Sequence, residues 1–290
     1  MKKVLVTGEN GYIGTAFYNW IKLNSIDIDM DFINVRTNEW KEKSFSNYDV
    51  VLHLAGIAHS SRNPKLKEKY YKVNRDLTLE LAKKSRRDSV KQFIFMSSII
   101  VYGEGNLNDP KIDESTVPVP SNFYGDSKLQ AENLIRSLEN DSFKIAIIRP
   151  PMIYGRNSKG NYSKLSKLSK LTPVFPDFYN ERSMLHIDNL SSFITAIILK
   201  DVKGTFFPQN KSYVTTSELV KTIAEVNDKK VILVPGFNYL IKKLIKKQEI
   251  FNKLFGNLVY DQKLSEHQIL NDYWVNDFYE SIVKTERDIP

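Results

Sequence analysis

Three glycines follow the first apolar segment of the sequence, in the string VLVTGENGYIG, at Gly8, Gly11 and Gly14. Each meets a different need where a strand turns into a helix around a phosphate: a tight bend, close backbone approach to the anion, and close packing of the helix on the strand. A helix that begins there directs unpaired N–H groups at the anion. The spacing therefore predicts an α/β chain that binds a dinucleotide.

Short apolar runs alternate with longer amphipathic runs through the first half of the chain, a pattern typical of a parallel sheet wrapped by helices. The predicted strands cover residues 3–7, 32–35, 50–54, 93–97 and 145–149. The predicted helices between them cover residues 11–23, 64–86 and 124–138. Right-handed crossovers between such units predict a Rossmann-like, doubly wound sheet.

The alternation stops after Pro150 and Pro151. We therefore expect a dinucleotide-binding domain over residues 1–150 and a small, discontinuous C-terminal lobe over 151–290, with the chain returning to the first domain near 185–207. Within the lobe, helices are predicted near 162–171, behind Asp188 as an N-cap, and after Thr215, whose spacing to Glu218 fits a capping box.

Composition excludes several classes of protein. The 290 residues are 41% apolar and can bury a large core. Without cysteine the chain has no disulfide and no thiolate nucleophile or metal ligand, and its four histidines form no metal-binding pattern. No apolar run is long enough to span a membrane, and no signal-peptide pattern opens the sequence. These features favour a globular cytoplasmic protein without a metal site.

The net charge of +8 is concentrated in two basic runs. The first, on a predicted amphipathic helix, is interpreted as a solvated helix face, and it comprises Lys242, Lys243, Lys246 and Lys247. The second, after the Pro-Pro turn, is expected to attract an anionic small ligand, and it comprises Arg156, Lys159, Lys164, Lys167 and Lys170. No aromatic-rich motif for nucleic acid accompanies either run, so a nucleic-acid partner is not expected.

Tyr124 and Lys128 lie four residues apart on a predicted helix, so their side chains leave the same face. A phenol is a weak base near neutral pH, and a nearby ammonium group is expected to lower its pKa by stabilising the phenolate. Such a tyrosine can exchange a proton with a hydroxyl or carbonyl while hydride moves at the attached carbon. Ser98, at the end of a predicted strand, can donate a hydrogen bond to the same oxygen.

These strings, TGENGYIG, FMSSIIVYG and FYGDSK, resemble the extended short-chain dehydrogenases of the NAD-dependent epimerase/dehydratase family, and the resemblance covers nearly the whole chain in family order. It implies a catalytic triad of Ser98, Tyr124 and Lys128, with Ser98 chosen over Ser97 because it stands five positions before Gly103. It also implies cofactor contacts at Gly8, Gly11, Tyr12, Ile13, Gly14, Leu54, Ala55, Gly56, Asn74, Tyr124, Lys128, Pro150 and Ile153.

The choice between NAD and NADP depends on the end of the second strand. NAD enzymes of this kind carry an acidic residue there for the ribose hydroxyl, whereas this chain reads FINVRT. Arg36 in that string can pair with a 2′-phosphate. We therefore expect NADPH in preference to NADH.

In relatives that act on nucleotide sugars, an asparagine and an arginine contact the nucleotide diphosphate. The resemblance assigns these roles to Asn161 in KGNY and to Arg182 in RSMLHID, with Ser98 also contacting the sugar. The finer resemblance is to bacterial capsule and O-antigen enzymes that work at C4 of UDP-linked N-acetylated hexoses. A homodimer is also implied.

The interpretation favoured by the sequence is reduction of a 4-keto group on a UDP-linked 2-acetamido-2,6-dideoxyhexose. The alternative is an NAD-dependent UDP-hexose 4-epimerase, and a more distant one is a dinucleotide sensor without catalysis. A 4,6-dehydratase is disfavoured, because that reaction needs an acidic pair where this chain has Ile99 and Ile100.

Overall fold

The computed structural model of the chain describes residues 1–58, 63–105, 111–266 and 271–287. Its strands are β1 (Lys2–Thr7), β2 (Ile28–Ile33), β3 (Val50–His53), β4 (Gln92–Met96), β5 (Lys144–Ile148), β6 (Met152–Tyr154), β7 (Val174–Pro176), β8 (Met184–His186), β9 (Gly204–Phe206) and β10 (Ile232–Val234). Its α-helices are α1 (Tyr12–Leu23), α2 (Lys67–Tyr70), α3 (Leu77–Arg87), α4 (Phe123–Arg136), α5 (Asn161–Leu171), α6 (Ile187–Leu199), α7 (Thr216–Val226), α8 (Asn238–Lys247), α9 (Glu249–Phe255), α10 (Gln262–Ser265) and α11 (Phe278–Glu286).

The central sheet has six strands in the order β2-β1-β3-β4-β5-β9, and every neighbouring pair is parallel. Side chains alternate between its two faces, because successive residues of a strand point in opposite directions. In β1, Val4 and Val6 pack in the core beneath α1 and α6, whereas Leu5 packs in the opposite core beneath α3 and α4. The predicted doubly wound, Rossmann-like architecture is confirmed.

The second strand begins and ends earlier than predicted, at Ile28–Ile33 instead of residues 32–35. As the edge strand it pairs only with β1 in this sheet, and its residues alternate, with Ile28 and Met30 buried and Asp29 and Asp31 exposed. Such alternation is typical of a half-exposed strand, and it is not visible as a continuous apolar run in the sequence. Arg36 therefore lies three residues beyond the strand.

The predicted helix over residues 64–86 forms, but not as one regular α-helix. Between α2 and α3, residues Tyr71–Asp76 take the wider π-helical turn. Such turns are rare and often lie at functional sites. Here the turn contains Asn74, which is fully buried.

The elements after Pro151 form two small parallel sheets, β6-β8 and β7-β10, with a core of their own that includes residues of α5, α7 and α8. The chain returns to the central sheet through α6 and β9. Thr215 caps α7 by accepting a hydrogen bond from the backbone N–H of Glu218 at 3.0 Å. The N-cap of α6 is His186 rather than the predicted Asp188, because the ring nitrogen of His186 accepts the backbone N–H of Asp188.

None of the described helices is both long enough and apolar enough to cross a membrane.

Candidate active site

A single cleft runs along the carboxyl ends of the central strands and continues between them and the C-terminal elements. Its volume is about 3610 Å³, well above the roughly 300–1,000 Å³ of an ordinary ligand pocket, so it has room for two large ligands. The residues predicted from the sequence that line it are Gly8, Gly11, Tyr12, Ile13, Gly14, Arg36, Leu54, Ala55, Gly56, Ser98, Tyr124, Lys128, Pro150, Ile153, Asn161 and Arg182.

The glycine turn at one end of the cleft has the geometry that a pyrophosphate site needs. Gly8 has a φ of +94°, and the N–H of Gly11 donates to its carbonyl at 2.9 Å. A Cβ on Gly11 would lie 2.8 Å from that carbonyl oxygen, and one on Gly14 would lie 3.1 Å from the Phe32 ring. Helix α1 then begins without a side-chain cap and without an acidic residue in its first turn. The backbone N–H groups in the first turn of α1 therefore suit the phosphates of a dinucleotide.

Beneath this turn, the fully buried His53 takes part in a chain of hydrogen bonds in which each donor and acceptor role can be assigned. Thr7 Oγ1 accepts the backbone N–H groups of the two residues after His53, each at 3.2 Å, so its own proton is directed at His53 Nδ1, 2.7 Å away. On the other side, His53 Nε2 lies 2.9 Å from Thr78 Oγ1, which donates to the carbonyl of Asn74. Nε2 must therefore carry the proton and Nδ1 must accept, so the ring is neutral. Burial lowers the pKa of His53 to about 3, in agreement.

Asn74 lies behind the cleft wall instead of lining the cleft. Its Oδ1 accepts the N–H of Ile57 at 2.8 Å, and its Nδ2 donates to the carbonyl of Ile57 and to Ser127 Oγ. A Cβ on Gly56 would come within 3.1 Å of Asn74 Oδ1 and 3.2 Å of Lys128 Nζ. Asn74 thus ties the loop after β3 to α4, close to the Lys128 ammonium group.

Tyr124 enters the cleft from the first turn of α4. Asn122 caps this helix by accepting the backbone N–H groups of Tyr124 and Gly125, both at 3.0 Å. Burial raises the pKa of the Tyr124 phenol to about 12, and the nearby Ser98 hydroxyl, which also lines the cleft, opposes that rise. The Ser98 hydroxyl and the Tyr124 phenol therefore meet at the end of β4, where a single oxygen of a ligand can contact both.

Lys128 is one turn further along α4 and is only 5% exposed. Its Nζ donates to the carbonyl of Met96 at 2.9 Å and lies 4.6 Å from the centre of the Phe95 ring. Burial lowers the pKa of Lys128 to about 8. The predicted lowering of the Tyr124 pKa by Lys128 is wrong for this structure, because burial of the phenol outweighs the other contributions.

The sequence reasoning missed a buried ion pair directly behind the triad. Arg149 donates to the Glu132 carboxylate through Nε at 3.0 Å and Nη2 at 2.5 Å, and to the Tyr102 hydroxyl at 2.6 Å. Glu132 is fully buried, and Ser97 donates to it at 2.5 Å. Ser97 is thus committed to this network, which leaves Ser98 for a ligand. A glutamate four residues after Lys128, on the same face of α4, is the sequence signal that points to it.

The far end of the cleft is rich in basic side chains. Arg182 is half-buried, and Nη1 donates to the carbonyl of Gly256 at 2.8 Å. Burial lowers the pKa of Arg182 to about 10 although Glu104 opposes this, and among the described residues no carboxylate forms an ion pair with it. Such a guanidinium group is suited to an anionic ligand that restores the interactions lost with water.

Helix α5 adds its N-terminus to this end of the cleft. Asn161 is its first residue instead of a loop residue, and Gly160, at φ +111°, leaves the helix without a side-chain cap. Arg156, Lys159 and Lys164 line the cleft as expected from the basic run. The other two members do not, since α5 turns them away: Lys167 is exposed outside the cleft, and Lys170 pairs with Glu286 at 2.7 Å.

Comparison with known proteins identifies a family and related folds. The sequence model of the NAD dependent epimerase/dehydratase family matches residues 4–207. A UDP-glucose 4-epimerase of Vibrio cholerae is 33% identical over 288 residues, covering 90% of this chain and 87% of that protein. An N-acetyl-alpha-D-glucosaminyl-diphospho-ditrans,octacis-undecaprenol 4-epimerase of Escherichia coli O157:H7 is 28% identical over 248 residues, covering 79% and 73%. The solved UDP-N-acetylglucosamine 4-epimerase from Bacillus cereus, 18% identical, has a TM-score of 0.76 and covers 99% of this chain and 98% of its own.

Proposed function

Because the chain belongs to the NAD dependent epimerase/dehydratase family and is an NAD(P)-dependent nucleotide-sugar enzyme, we propose that it oxidises or reduces C4 of a UDP-linked, N-acetylated hexose. The observation that carries this proposal is the meeting of Ser98 and Tyr124 at the end of β4, with Lys128 beneath them, inside a cleft large enough for a dinucleotide and a nucleotide sugar.

Tyr124 moves the proton at the sugar O4. Its raised pKa keeps the phenol protonated at neutral pH, which is the state that donates a proton to a 4-keto oxygen as that oxygen becomes a hydroxyl. Ser98 donates a second hydrogen bond to the same oxygen and polarises the carbonyl. Lys128, one turn along α4 from Tyr124, would hold the nicotinamide side of the cofactor with its ammonium group. When bound, the nicotinamide supplies or accepts the hydride at C4.

Residues along the cleft would hold the two ligands. The glycine turn and α1 suit the cofactor pyrophosphate, with Ile153 and Pro150 on the nicotinamide side. Arg182 and the N-terminus of α5, with Asn161, suit the diphosphate of the sugar nucleotide. The two relatives act, by name, on a UDP-sugar and on a diphospho-linked N-acetylglucosamine, which supports a diphosphate-linked hexose as the substrate.

Reduction of a 4-keto-6-deoxy sugar is one net reaction that uses this site, and the cofactor end of the cleft favours it. Residues 34–38 read Asn-Val-Arg-Thr-Asn and line the cleft, with Arg36 exposed there. No carboxylate stands in that segment to bind a ribose hydroxyl, and a guanidinium group pairs well with a 2′-phosphate. A reductase exchanges its cofactor at each turnover and draws on NADPH.

Arg36→Ala is expected to reduce an initial preference for NADPH over NADH by about ten- to a hundredfold, because a lost charge-assisted contact is worth roughly 1.5–3 kcal/mol. The dissociation constants of both cofactors, measured by fluorescence titration, check this. Arg86→Ala, a change to an exposed arginine outside the cleft, should leave both constants unchanged. Equal affinities in the unmodified enzyme would make Arg36 a bystander.

Epimerisation at C4 is the second candidate, favoured by the names of both relatives. It removes the O4 proton and the C4 hydride, then returns the proton to O4 and the hydride to the opposite face of C4, so its cofactor is regenerated in place. Dehydration across C5 and C6 is not proposed, because Ser98 is followed by Ile99 and Ile100, both of which line the cleft and neither of which can move a proton.

Product analysis separates these reactions. The purified enzyme is incubated with UDP-N-acetylglucosamine, UDP-glucose and a UDP-4-keto-6-deoxy-N-acetylhexosamine, each with and without added NADPH. A reductase consumes one NADPH for each 4-keto sugar and leaves the other two unchanged. An epimerase interconverts a UDP-hexose with its C4 epimer without added reductant. Conversion of none of these classes of substrate would contradict the proposed function.

A further inference from the structure

The basic run on α8 lies in a strongly positive segment of the chain, and the proposed chemistry does not use this run. Residues 229–260 contain seven lysines and one acidic residue, Glu249, and so carry a net charge of +6. Helix α8 occupies the middle of this segment. Exposed helices usually carry both basic and acidic residues. The nearly uniform positive charge around α8 therefore needs an explanation other than solubility.

Helix α8 buries one face and exposes a second face that is both basic and apolar. Ile241 and Ile245, one turn apart, pack into the C-terminal core at 3% and 8% exposure. The opposite face, which we call the α8 surface, consists of Phe237, Tyr239, Leu240, Lys242, Lys243 and Lys247. Tyr239 is 81% exposed and Leu240 50% exposed. The side chain of Lys246, from the same basic run, lies outside the described residues.

The strand pair β7-β10 also exposes two apolar side chains. Strand β10 ends at Val234, shortly before α8 begins at Asn238. Ile232 of β10 is the register partner of Val174 in β7. Registered partners of a parallel pair project from the same face of the sheet, and these two side chains are 55% and 51% exposed. Isolated exposed apolar residues are common, but a run of them beside lysines marks an interaction surface.

We propose that the α8 surface docks the protein on an anionic phospholipid bilayer. A helix with lysines beside exposed aromatic and aliphatic residues lies in the plane of the membrane interface, with its apolar side chains among the headgroups and its ammonium groups on lipid phosphates. A second copy of the chain fits this surface poorly, because a two-fold contact through α8 would set lysines against lysines. Nucleic acid would leave Leu240 and Ile232 without a use.

Docking there leaves the active site free. None of the six residues of the α8 surface lines the cleft, whereas Lys253 and Leu254 of α9, the next helix, do. A single residue, Gln248, separates the two helices. The bilayer would therefore lie beside the substrate end of the cleft without covering it. This inference goes beyond the proposed function and does not depend on the direction of the reaction.

Vesicle co-sedimentation of the purified full chain tests the proposal. We expect binding to vesicles of phosphatidylcholine mixed with phosphatidylglycerol, loss of binding at high salt, and little binding to phosphatidylcholine alone. Replacing Lys242, Lys243 and Lys247 together by Gln should weaken binding to the anionic vesicles roughly a hundredfold, at about fivefold for each lysine. Tyr239→Ser with Leu240→Ser should weaken it as well, with the lysines intact.

A matched control replaces three exposed lysines of the other half of the chain, Lys43, Lys65 and Lys83, by Gln, and it should bind as the unmodified protein does. Circular dichroism and thermal unfolding establish that each variant is folded. The proposal is overturned if both triple variants weaken binding equally, if neutral and anionic vesicles bind alike, or if the changes at α8 alter only self-association or RNA binding.

Discussion

Replacing Tyr124 by Phe is expected to lower kcat by about two to four powers of ten while leaving the affinity for the cofactor close to that of the unmodified enzyme. The change removes one oxygen atom and its proton, and the ring remains to pack against Tyr70, whose ring centre lies 6.1 Å away. Without the phenol, water must exchange the proton at O4 in a site that Ser98 and Lys128 still shape.

Initial rates with the substrate found by product analysis, together with cofactor titration, measure this effect. Tyr179→Phe removes the same group from a side chain that is 73% exposed and outside the cleft, and it should keep the full rate. Activity of Tyr124→Phe within tenfold of the unmodified enzyme would show that another group moves the proton.

Glu132→Gln is expected to lower the free energy of unfolding by about 3–5 kcal/mol, because it leaves the buried charge of Arg149 without a counter-charge. Glu132 is fully buried and Arg149 is 6% exposed, so water cannot replace the missing charge. Urea unfolding followed by circular dichroism measures the change.

Two further variants separate charge from packing. Glu225→Gln breaks an exposed pair with Lys221, in which both side chains are 51% exposed, and should cost less than about 0.5 kcal/mol. Replacing both Glu132 and Arg149 by Leu removes the uncompensated charge and should recover part of the stability lost by Glu132→Gln. If Glu132→Gln lowered the free energy of unfolding as little as Glu225→Gln does, the charge of Glu132 would not be needed to stabilise the buried Arg149.

The fold and the location of the candidate site were predictable because both depend on local patterns. Parallel strands bring their carboxyl ends to one edge, so the turn after β1 and Ser98 after β4 had to converge, and the helical spacing placed Tyr124 and Lys128 on one face. The glycines are informative for the same reason, since each meets a steric demand within its own turn.

What the sequence did not predict depends on partners that are distant along the chain. In the sequence, Arg149 and Glu132 look like ordinary surface residues, because only the fold buries them together. The hydrogen bonds of His53 likewise join Thr7 in β1 to Thr78 in α3, which are far apart in the chain. The Tyr124 pKa was misjudged because its burial depends on the whole cleft. Strand β2 was misplaced because an edge strand alternates in polarity instead of forming an apolar run.

Transfer of deuterium to C4 tests the central proposal most directly. The enzyme is given a UDP-4-keto-6-deoxy-N-acetylhexosamine with NADPH, and separately NADH, each carrying deuterium at the transferable position of the nicotinamide, and the product is read by NMR and mass spectrometry. We expect one deuterium, at C4 of the sugar, and its loss in Tyr124→Phe. Deuterium at any other carbon, or no transfer from either cofactor by an enzyme that also leaves UDP-hexoses unconverted, would contradict the proposal.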